Sequence, residues 1–168
     1  GVEAVGGHPM CGKESSGITM AEPGLYRERI FVLSPLQRTS AMALALAQSM
    51  VDAIGARWLI LDPQRHDRLV AAISHLPYVM AVALVMAAEE LARDDAVAWG
   101  FGDTSRVAAG SIPMMMDILT TNREPVLEAL RVAREQLDRL TELLHAEDLC
   151  ALRSALTAAR KRRTEVYR

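Results

Sequence analysis

The pattern of apolar and polar positions divides the chain into a short N-terminal part with strands and a longer helical part. Apolar runs at residues 2–6, 29–33 and 57–61 have the length of strands and are bounded by turn residues. Thr39 or Ser40 can cap a helix between the second and third strands. We therefore predict a small α/β flank that precedes a helical body.

The longest helical pattern runs from Gln64 to Arg93 and is apolar on almost every side from Leu69 to Ala88. Such a helix is predicted to be buried all round. Pro77 lies inside it, and an internal proline removes a hydrogen bond and clashes with the preceding turn, so we predict a kink there. The uninterrupted apolar run Leu76–Ala88 is too short to span a membrane.

The pattern loosens after Arg93. Residues 94–102 are predicted to form a turn region, and Asp103 is predicted to cap a short helix that follows it. Ser111 is predicted to cap another helix, with Pro113 in the permitted first turn.

Two further helices are predicted near the C-terminus. The first carries apolar residues at alternating steps of four and three, which is the heptad pattern of a helix with a helical partner. These residues are Val126, Leu130, Ala133, Leu137, Leu140 and Leu144. Asp148 is predicted to cap the last helix. The pattern fits both an internal helical hairpin and packing between two subunits.

Composition favours a mainly α fold. Hydrophobic residues make up 51% of the 168 residues but aromatic residues only 4%, so the helices are predicted to pack through small and flexible side chains. The net charge of −2 gives no general attraction to nucleic acid or to an anionic membrane. Cys11 and Cys150 are far apart without a CxxC spacing, which argues against a zinc site or disulfide framework and fits a reducing cytoplasm.

Several polar side chains interrupt apolar or glycine-rich stretches: His8, Glu14, His66, Asp67, Ser74, His75, Asp103 and Arg106. His8 is predicted to lie just beyond the first strand, where α/β folds often bind ligands. Arg106 needs an anion, and a substrate carboxylate and an internal pair with Asp103 fit equally well. The adjacent pair His66 and Asp67 resembles the His–Asp pair of helical metal-dependent phosphohydrolases. Such a site needs further histidine and aspartate ligands, and the sequence offers too few other histidines, so we predict no metal site.

Three segments resemble signature blocks of a known family: GGHPMCGKESSG at residues 6–17, HDRLVAAISHLPYVMAVAL at residues 66–84 and GFGDTSRVAAGSIPMMMDILTTN at residues 100–122. In content, order and separation they resemble the prephenate and arogenate dehydrogenases of tyrosine biosynthesis. The resemblance implies that residues 1–62 are the C-terminal remnant of a Rossmann-type nucleotide domain. It implies that residues 63–168 form a helical substrate-binding and dimerisation domain.

The resemblance also implies an activity, the NAD- or NADP-dependent oxidative decarboxylation of prephenate to 4-hydroxyphenylpyruvate in the cytoplasm. The main dinucleotide-binding motif would lie upstream, so we expect this chain to be inactive alone and to form a homodimer. Binding to nucleic acid or to a membrane is not expected. The alternatives are an arogenate dehydrogenase and a non-catalytic helical dimerisation or regulatory module.

The family's site residues fall on matching positions here. His8 would be the catalytic base or polariser, and Arg106 would bind a substrate carboxylate. The remaining implied pocket residues are Ser74, His75, Glu14 and Tyr78, with Asp67 and Asp103 as orienting residues. Tyr78 stands where many relatives have a second histidine, so substrate choice and inhibition by tyrosine are not carried over from the family at that position.

Overall fold

The computed structural model describes residues 3–12, 17–91 and 99–166, without the side chain of Trp99. The chain forms two compact units, Gly1–Val126 and Leu127–Arg168. The predicted fold class is confirmed, since helices dominate and a small sheet lies near the N-terminus.

The sheet contains strands β1 (Val5–Pro9), β2 (Ile30–Pro35) and β3 (Arg57–Ile60) in that order. β1 runs antiparallel to β2, and β2 runs parallel to β3. The first strand begins later than predicted, so that His8 lies within β1 opposite Val32 and not beyond its end. Gly7 lies close to Phe31 on β2. A side-chain carbon at that position would lie 3.0 Å from the Phe31 ring, so a larger residue there would require the ring to shift.

Helix α1 (Ala41–Ala53) connects the two parallel strands. Ser40 caps it as predicted, because its hydroxyl accepts a hydrogen bond from the Ala43 N–H at 3.2 Å. Gly55 ends this connection with a positive φ of 72°, a conformation that glycine adopts without strain. The helix packs on the sheet through a small core of Leu33, Val51 and Ala56.

The central helix spans Pro63–Leu91 without a break. It consists of α2 (Pro63–Val70), a π turn (Ala71–His75) and α3 (Leu76–Leu91). A kink at Pro77 was predicted, and the structure shows that the helix widens just before this proline. The Leu76 N–H donates to the Ala71 carbonyl, five residues earlier, which relieves the clash between the proline ring and the preceding turn.

The exposure of the central helix also differs from the prediction. Ile73, Leu84, Val85 and Met86 are all exposed in the single chain, whereas burial all round was expected. By length and composition alone the helix Pro63–Leu91 could cross a membrane. The run Leu76–Ala88, which was too short to span one, is only part of this longer apolar helix. Core helices of soluble proteins have the same properties, so this feature alone decides nothing about location.

The remaining elements are α4 (Trp99–Ser105), a 3-10 turn (Arg106–Ala109), α5 (Ile112–Thr121), α6 (Arg123–His145) and α7 (Leu149–Val166). Asp103 was predicted to cap this short helix. It does not, because α4 begins earlier, at Trp99, and Asp103 lies inside it. Ser111 holds the N-cap position of α5, although its side chain makes no capping hydrogen bond within the described part of the chain. Asp148 caps α7, since its carboxylate accepts from the Ala151 N–H at 2.9 Å.

The apolar residues of the C-terminal helices remain largely uncovered in a single chain. Leu137 and Leu144 of α6 are 48% and 62% exposed, and Leu149 and Leu156 of α7 are 71% and 57% exposed. We call these four side chains the C-terminal apolar rows. No residue of α7 between Leu149 and Val166 is buried.

Candidate functional site

A chain of hydrogen bonds joins the sheet to the start of the central helix. His8 points from β1, and its Nδ1 lies 2.8 Å from Nε2 of His66 on α2. The other ring nitrogen of His66, Nδ1, lies 2.9 Å from Oδ1 of Asp67. The two imidazole rings meet edge to face, with centroids 5.1 Å apart and an interplanar angle of 74°. His8 and Asp67, which were both predicted to belong to the site, are thus connected through His66.

The π turn places His75 on the side of the helix where His66 and Asp67 make these hydrogen bonds. His75 follows His66 by nine positions, which at about 100° per residue would place the two side chains on opposite sides of a regular helix. A turn widened by one residue moves every later side chain back by about 100°. His75 is thereby brought nearly into line with Asp67 along the helix.

His75 is buried and is held by Asn122. The amide Nδ2 of Asn122 lies 3.2 Å from Nδ1 of His75 and 2.8 Å from the backbone carbonyl oxygen of Asp67. His75 is 7% exposed and Asn122 is 9% exposed, so these contacts are shielded from water. We call His8, His66, Asp67, His75 and Asn122 the imidazole cluster.

The surroundings of His8 and His75 favour the neutral forms of these two histidines. His8 keeps an exposed edge, but the partial burial of its ring lowers its pKa, and the charge that His66 would carry lowers it further. Burial is also the main cause that lowers the pKa of His75. The charge of His8 adds to this effect, while the carboxylate of Asp67 opposes it and His66 contributes a smaller lowering. Near pH 7, His8 is therefore available to accept a proton.

The other predicted residues lie around the helix in different settings. Ser74 is exposed on the π turn and Tyr78 is half-buried one turn beyond His75. A side-chain carbon at Gly110 would lie 3.8 Å from the Tyr78 ring, so the end of the 3-10 turn approaches α3 there. Arg106 begins this 3-10 turn and is exposed.

Asp103 and Glu14 are the two remaining residues of the predicted site. Asp103 is exposed on α4. Glu14 lies outside the residues that the structure describes, so its predicted place in the pocket stays a prediction.

Sequence reasoning missed the role of two residues. His66 was recognised as a polar interruption but was not assigned to the site, because its neighbour in space, His8, is distant in the sequence. Nothing in the sequence pointed to Asn122 as a site residue, because an asparagine between two helices commonly ends the first of them. Its backbone serves that purpose, as the Asn122 N–H donates to the Ile118 carbonyl at 2.9 Å and its side chain is left to bridge Asp67 and His75.

No dinucleotide-binding loop of the GxGxxG type occurs in this sequence, so the imidazole cluster alone offers no site for a pyrophosphate. The imidazoles of His8 and His75 and the exposed Ser74 hydroxyl can hydrogen-bond polar groups of a cofactor, such as those beside its reactive ring. In residues 3–12, 17–91 and 99–166, no group of three or more His, Cys, Asp or Glu side chains is arranged to hold a metal ion.

Comparison with protein families assigns most of the chain. A model described as the prephenate dehydrogenase dimerization domain matches residues 62–158. A second model, described as the prephenate dehydrogenase nucleotide-binding domain, matches residues 1–60. The imidazole cluster draws on both matched regions, with His8 in the second and the other members in the first.

Individual proteins show the same similarity. The chain is 30% identical over 150 residues to the prephenate dehydrogenase of Bacillus subtilis (strain 168), covering 86% of this chain and 40% of that protein. It is 29% identical over 147 residues to the cyclohexadienyl dehydrogenase of Zymomonas mobilis, covering 84% of this chain and 50% of that protein. The chain thus spans half or less of the length of these relatives.

Solved structures agree with the fold. The prephenate dehydrogenase of Aquifex aeolicus, in complex with hydroxyphenyl propionate and NAD+, superposes with a TM-score of 0.91 at 30% identity, covering 96% of this chain and 58% of that one. The Synechocystis arogenate dehydrogenase superposes with a TM-score of 0.84 at 30% identity, covering 96% of this chain and 61% of that one.

Proposed function

We propose a function from one premise: this chain belongs to the prephenate dehydrogenase family. The whole protein of which it is a part is proposed to convert prephenate to 4-hydroxyphenylpyruvate and CO₂ with NAD or NADP, in the cytoplasm. Residues 1–62 are proposed to complete the nucleotide-binding domain, and residues 63–168 to form the substrate-binding and dimerisation domain. The Aquifex aeolicus complex with NAD+ supports the use of a nicotinamide cofactor.

The observation that carries this proposal is the position of His8, which contacts His66 on the central helix and whose pKa lies below its ordinary value because the ring is partly buried. When bound, the nicotinamide supplies the capacity to accept a hydride from C4 of the substrate ring. His8 takes the proton of the C4 hydroxyl as that hydride leaves and a C4 carbonyl forms. The bond from the ring to its carboxylate then breaks, CO₂ leaves, and the electron pair makes the ring aromatic while His8 returns the proton to the phenolic oxygen.

Arg106 is proposed to bind a carboxylate of the substrate. Its guanidinium is exposed at the start of a 3-10 turn whose end approaches Tyr78, one helical turn from His75. A charge-assisted contact between a guanidinium and a carboxylate contributes about 1.5–3 kcal/mol. Glu14 and Ser74 are proposed to contribute to the same pocket, and Asp103 is proposed to orient its neighbours.

A homodimer is proposed to cover the C-terminal apolar rows and the exposed sides of the central helix. Exposed apolar surface of this extent is typical of protein interfaces. The family match to a dimerization domain over residues 62–158 supports this interpretation and favours a second copy of the chain over a lipid bilayer. No role in binding nucleic acid is proposed, in keeping with the net charge of −2.

A binding experiment on this chain tests the site without requiring turnover. Hydroxyphenyl propionate carries a phenolic hydroxyl and a carboxylate, and we expect its titration to shift the NMR signals of both His8 and Arg106. The matched control, phenyl propionate, lacks the hydroxyl and should still shift Arg106 while leaving His8 nearly unchanged. A titration in which neither residue responds to the hydroxylated compound would contradict the proposed pocket.

Arogenate is the second candidate substrate, because the chain resembles the Synechocystis arogenate dehydrogenase as closely in sequence as it does the Aquifex aeolicus enzyme. The two substrates share a ring and differ at a distant keto or amino group. Assays of the full-length protein with each substrate and each of NAD and NADP, following the absorbance of the reduced nicotinamide, distinguish the four combinations. Turnover with none of them would favour the non-catalytic module.

A further inference from the structure

The hydrogen-bond partners in the imidazole cluster restrict where its protons can lie, beginning with His66. A carboxylate only accepts hydrogen bonds, so the 2.9 Å contact to Asp67 requires a proton on Nδ1 of His66. In a neutral imidazole the other nitrogen then carries a lone pair. The 2.8 Å contact between Nε2 of His66 and Nδ1 of His8 must therefore be donated by His8. This leaves Nε2 of His8 without a proton.

A separate argument fixes the proton on His75. The Asp67 carbonyl oxygen, 2.8 Å from the Asn122 amide, only accepts, so the NH₂ end of that amide must face it. The same nitrogen lies 3.2 Å from Nδ1 of His75 and has a second hydrogen to donate. Nδ1 of His75 must therefore accept, and the proton of this neutral ring is on Nε2. His75 thus has the opposite tautomer to His8.

Both routes start at one residue. We propose that Asp67 sets opposite tautomers in the two histidines, with its carboxylate acting on His8 through His66 and its carbonyl acting on His75 through Asn122. His66 and Asn122 are then positioning residues, because each acts through a histidine. The proposal deepens the proposed function, on which its purpose rests: a proton-accepting Nε2 on His8 and a proton-donating Nε2 on His75 suit a hydroxyl group, which both donates and accepts.

A histidine beside His8 has an advantage over a carboxylate in the same place. A carboxylate beside His8 would fix the same tautomer but would raise the pKa of the ring through its charge. An intervening neutral imidazole transmits the hydrogen-bond direction while placing the negative charge farther away. His8 consequently stays unprotonated near neutral pH and still presents the correct nitrogen.

The test uses the chain itself, labelled with ¹⁵N, at mildly alkaline pH where the imidazoles are neutral. Long-range ¹H–¹⁵N correlation spectra distinguish protonated from unprotonated ring nitrogens by chemical shift. We expect His8 and His66 to carry the proton on Nδ1, and His75 to carry it on Nε2. A wild-type spectrum with the proton of His8 on Nε2, or with the same tautomer in His8 and His75, would overturn the proposal.

Two variants separate the routes. Asp67→Asn changes only the side chain, so we expect the ¹⁵N shifts of His66 and His8 to move toward a mixture of tautomers while those of His75 stay in place. Asn122→Ala should do the reverse and move His75 alone. If either variant moves both sets equally, or neither set, the two-route assignment is wrong.

The outcome is independent of the proposed function. Binding of hydroxyphenyl propionate with a mixed tautomer in His8 would reject the role of Asp67 and keep the pocket. The expected tautomers without any binding would reject the pocket and keep the role of Asp67. The wild-type spectrum decides the tautomers even if one of the variants does not fold.

Discussion

The imidazole cluster and the C-terminal apolar rows differ in how completely one chain satisfies them. Every buried side-chain nitrogen and oxygen in the described parts of the chain has a hydrogen-bond partner, and the cluster includes two buried polar side chains, His75 and Asn122. The apolar rows, by contrast, have side chains that are about half or more exposed. A single chain therefore defines the geometry of the cluster but does not supply a cover for the rows.

This difference follows from the physics of the two kinds of contact. A buried polar atom without a partner costs about 1–3 kcal/mol, so a chain must satisfy such atoms itself wherever it buries them. Apolar surface is non-directional and can be covered by another molecule at about 25 cal/mol per Å². Changes in the cluster should therefore act within one chain, whereas changes in the rows should act between chains.

The largest expected effect comes from His8. In the full-length protein, His8→Asn should lower kcat by roughly 10²- to 10⁴-fold, because the variant lacks the proposed acceptor of the hydroxyl proton. KM should change far less, since the contact strengthens only as the proton is transferred. Steady-state kinetics measure both constants, and His145→Asn, an exposed histidine at the end of α6, is the control. Equal losses in binding and turnover would argue against His8 as the base.

The C-terminal apolar rows should respond in assembly and not in folding of the single chain. Leu137→Glu places a charge in the proposed interface of both copies, and a buried leucine contributes about 1.5–3 kcal/mol, so the dimer should weaken by at least about a hundredfold. Light scattering at micromolar concentration measures this change. Ile18→Glu, at a side chain that is 90% exposed outside the rows, should leave the dimer intact. A wild-type chain that is monomeric at this concentration would refute the interface.

Loss of Asn122 should weaken the single chain by a smaller amount. Asn122→Ala removes the donor to the Asp67 carbonyl and to buried His75, and we expect the free energy of unfolding to fall by about 1–3 kcal/mol. Urea denaturation measures it, with the exposed Gln136→Ala on α6 as the control. If both variants lose the same amount, the bridge between Asp67 and His75 contributes no stability of its own.

The smallest expected effect is a pH dependence that arises from His75. Its pKa in the folded chain lies below the ordinary value because the ring is buried, so the unfolded chain binds the proton more readily. Stability from this residue is complete above the ordinary histidine pKa of about 6.5 and is lost as the pH falls from there toward the lowered value. Denaturation at several pH values should show that the free energy of unfolding depends less steeply on pH in His75→Gln than in His145→Gln. An identical slope in both variants would exclude His75 as a source.

The sequence predicted the larger features of this molecule from local signals. The strands, the caps at Ser40 and Asp148, and the mainly helical fold follow from periodicity and capping, which depend on neighbouring residues. His8 was placed beyond β1 because glycine and proline usually end strands. Here Gly7 lies within the strand and close to the Phe31 ring, a contact between distant residues that no local rule reveals.

The candidate site was harder to predict because it depends on helical phase and on distant partners. Pro77 indicated a disturbance of the central helix, but it did not reveal that the disturbance would be a π turn. His75 was chosen because it is a polar side chain in an apolar helix. The structure buries it, and its place in the substrate pocket stays a prediction. Its partner Asn122 and the link from His66 to His8 could be found only from coordinates.

The π turn has a consequence for how this helix can vary in length. Deleting one residue from Ala71–His75 would let this stretch close as an ordinary α-helix and would keep the side chains of α3 in line with those of α2, because the widened turn already sets every later side chain back by about 100°. The same deletion elsewhere between His66 and His75, with the π turn kept, would rotate His75 by about 100° relative to His66. The helix can therefore lose a residue at the π turn without losing the alignment of the imidazole cluster.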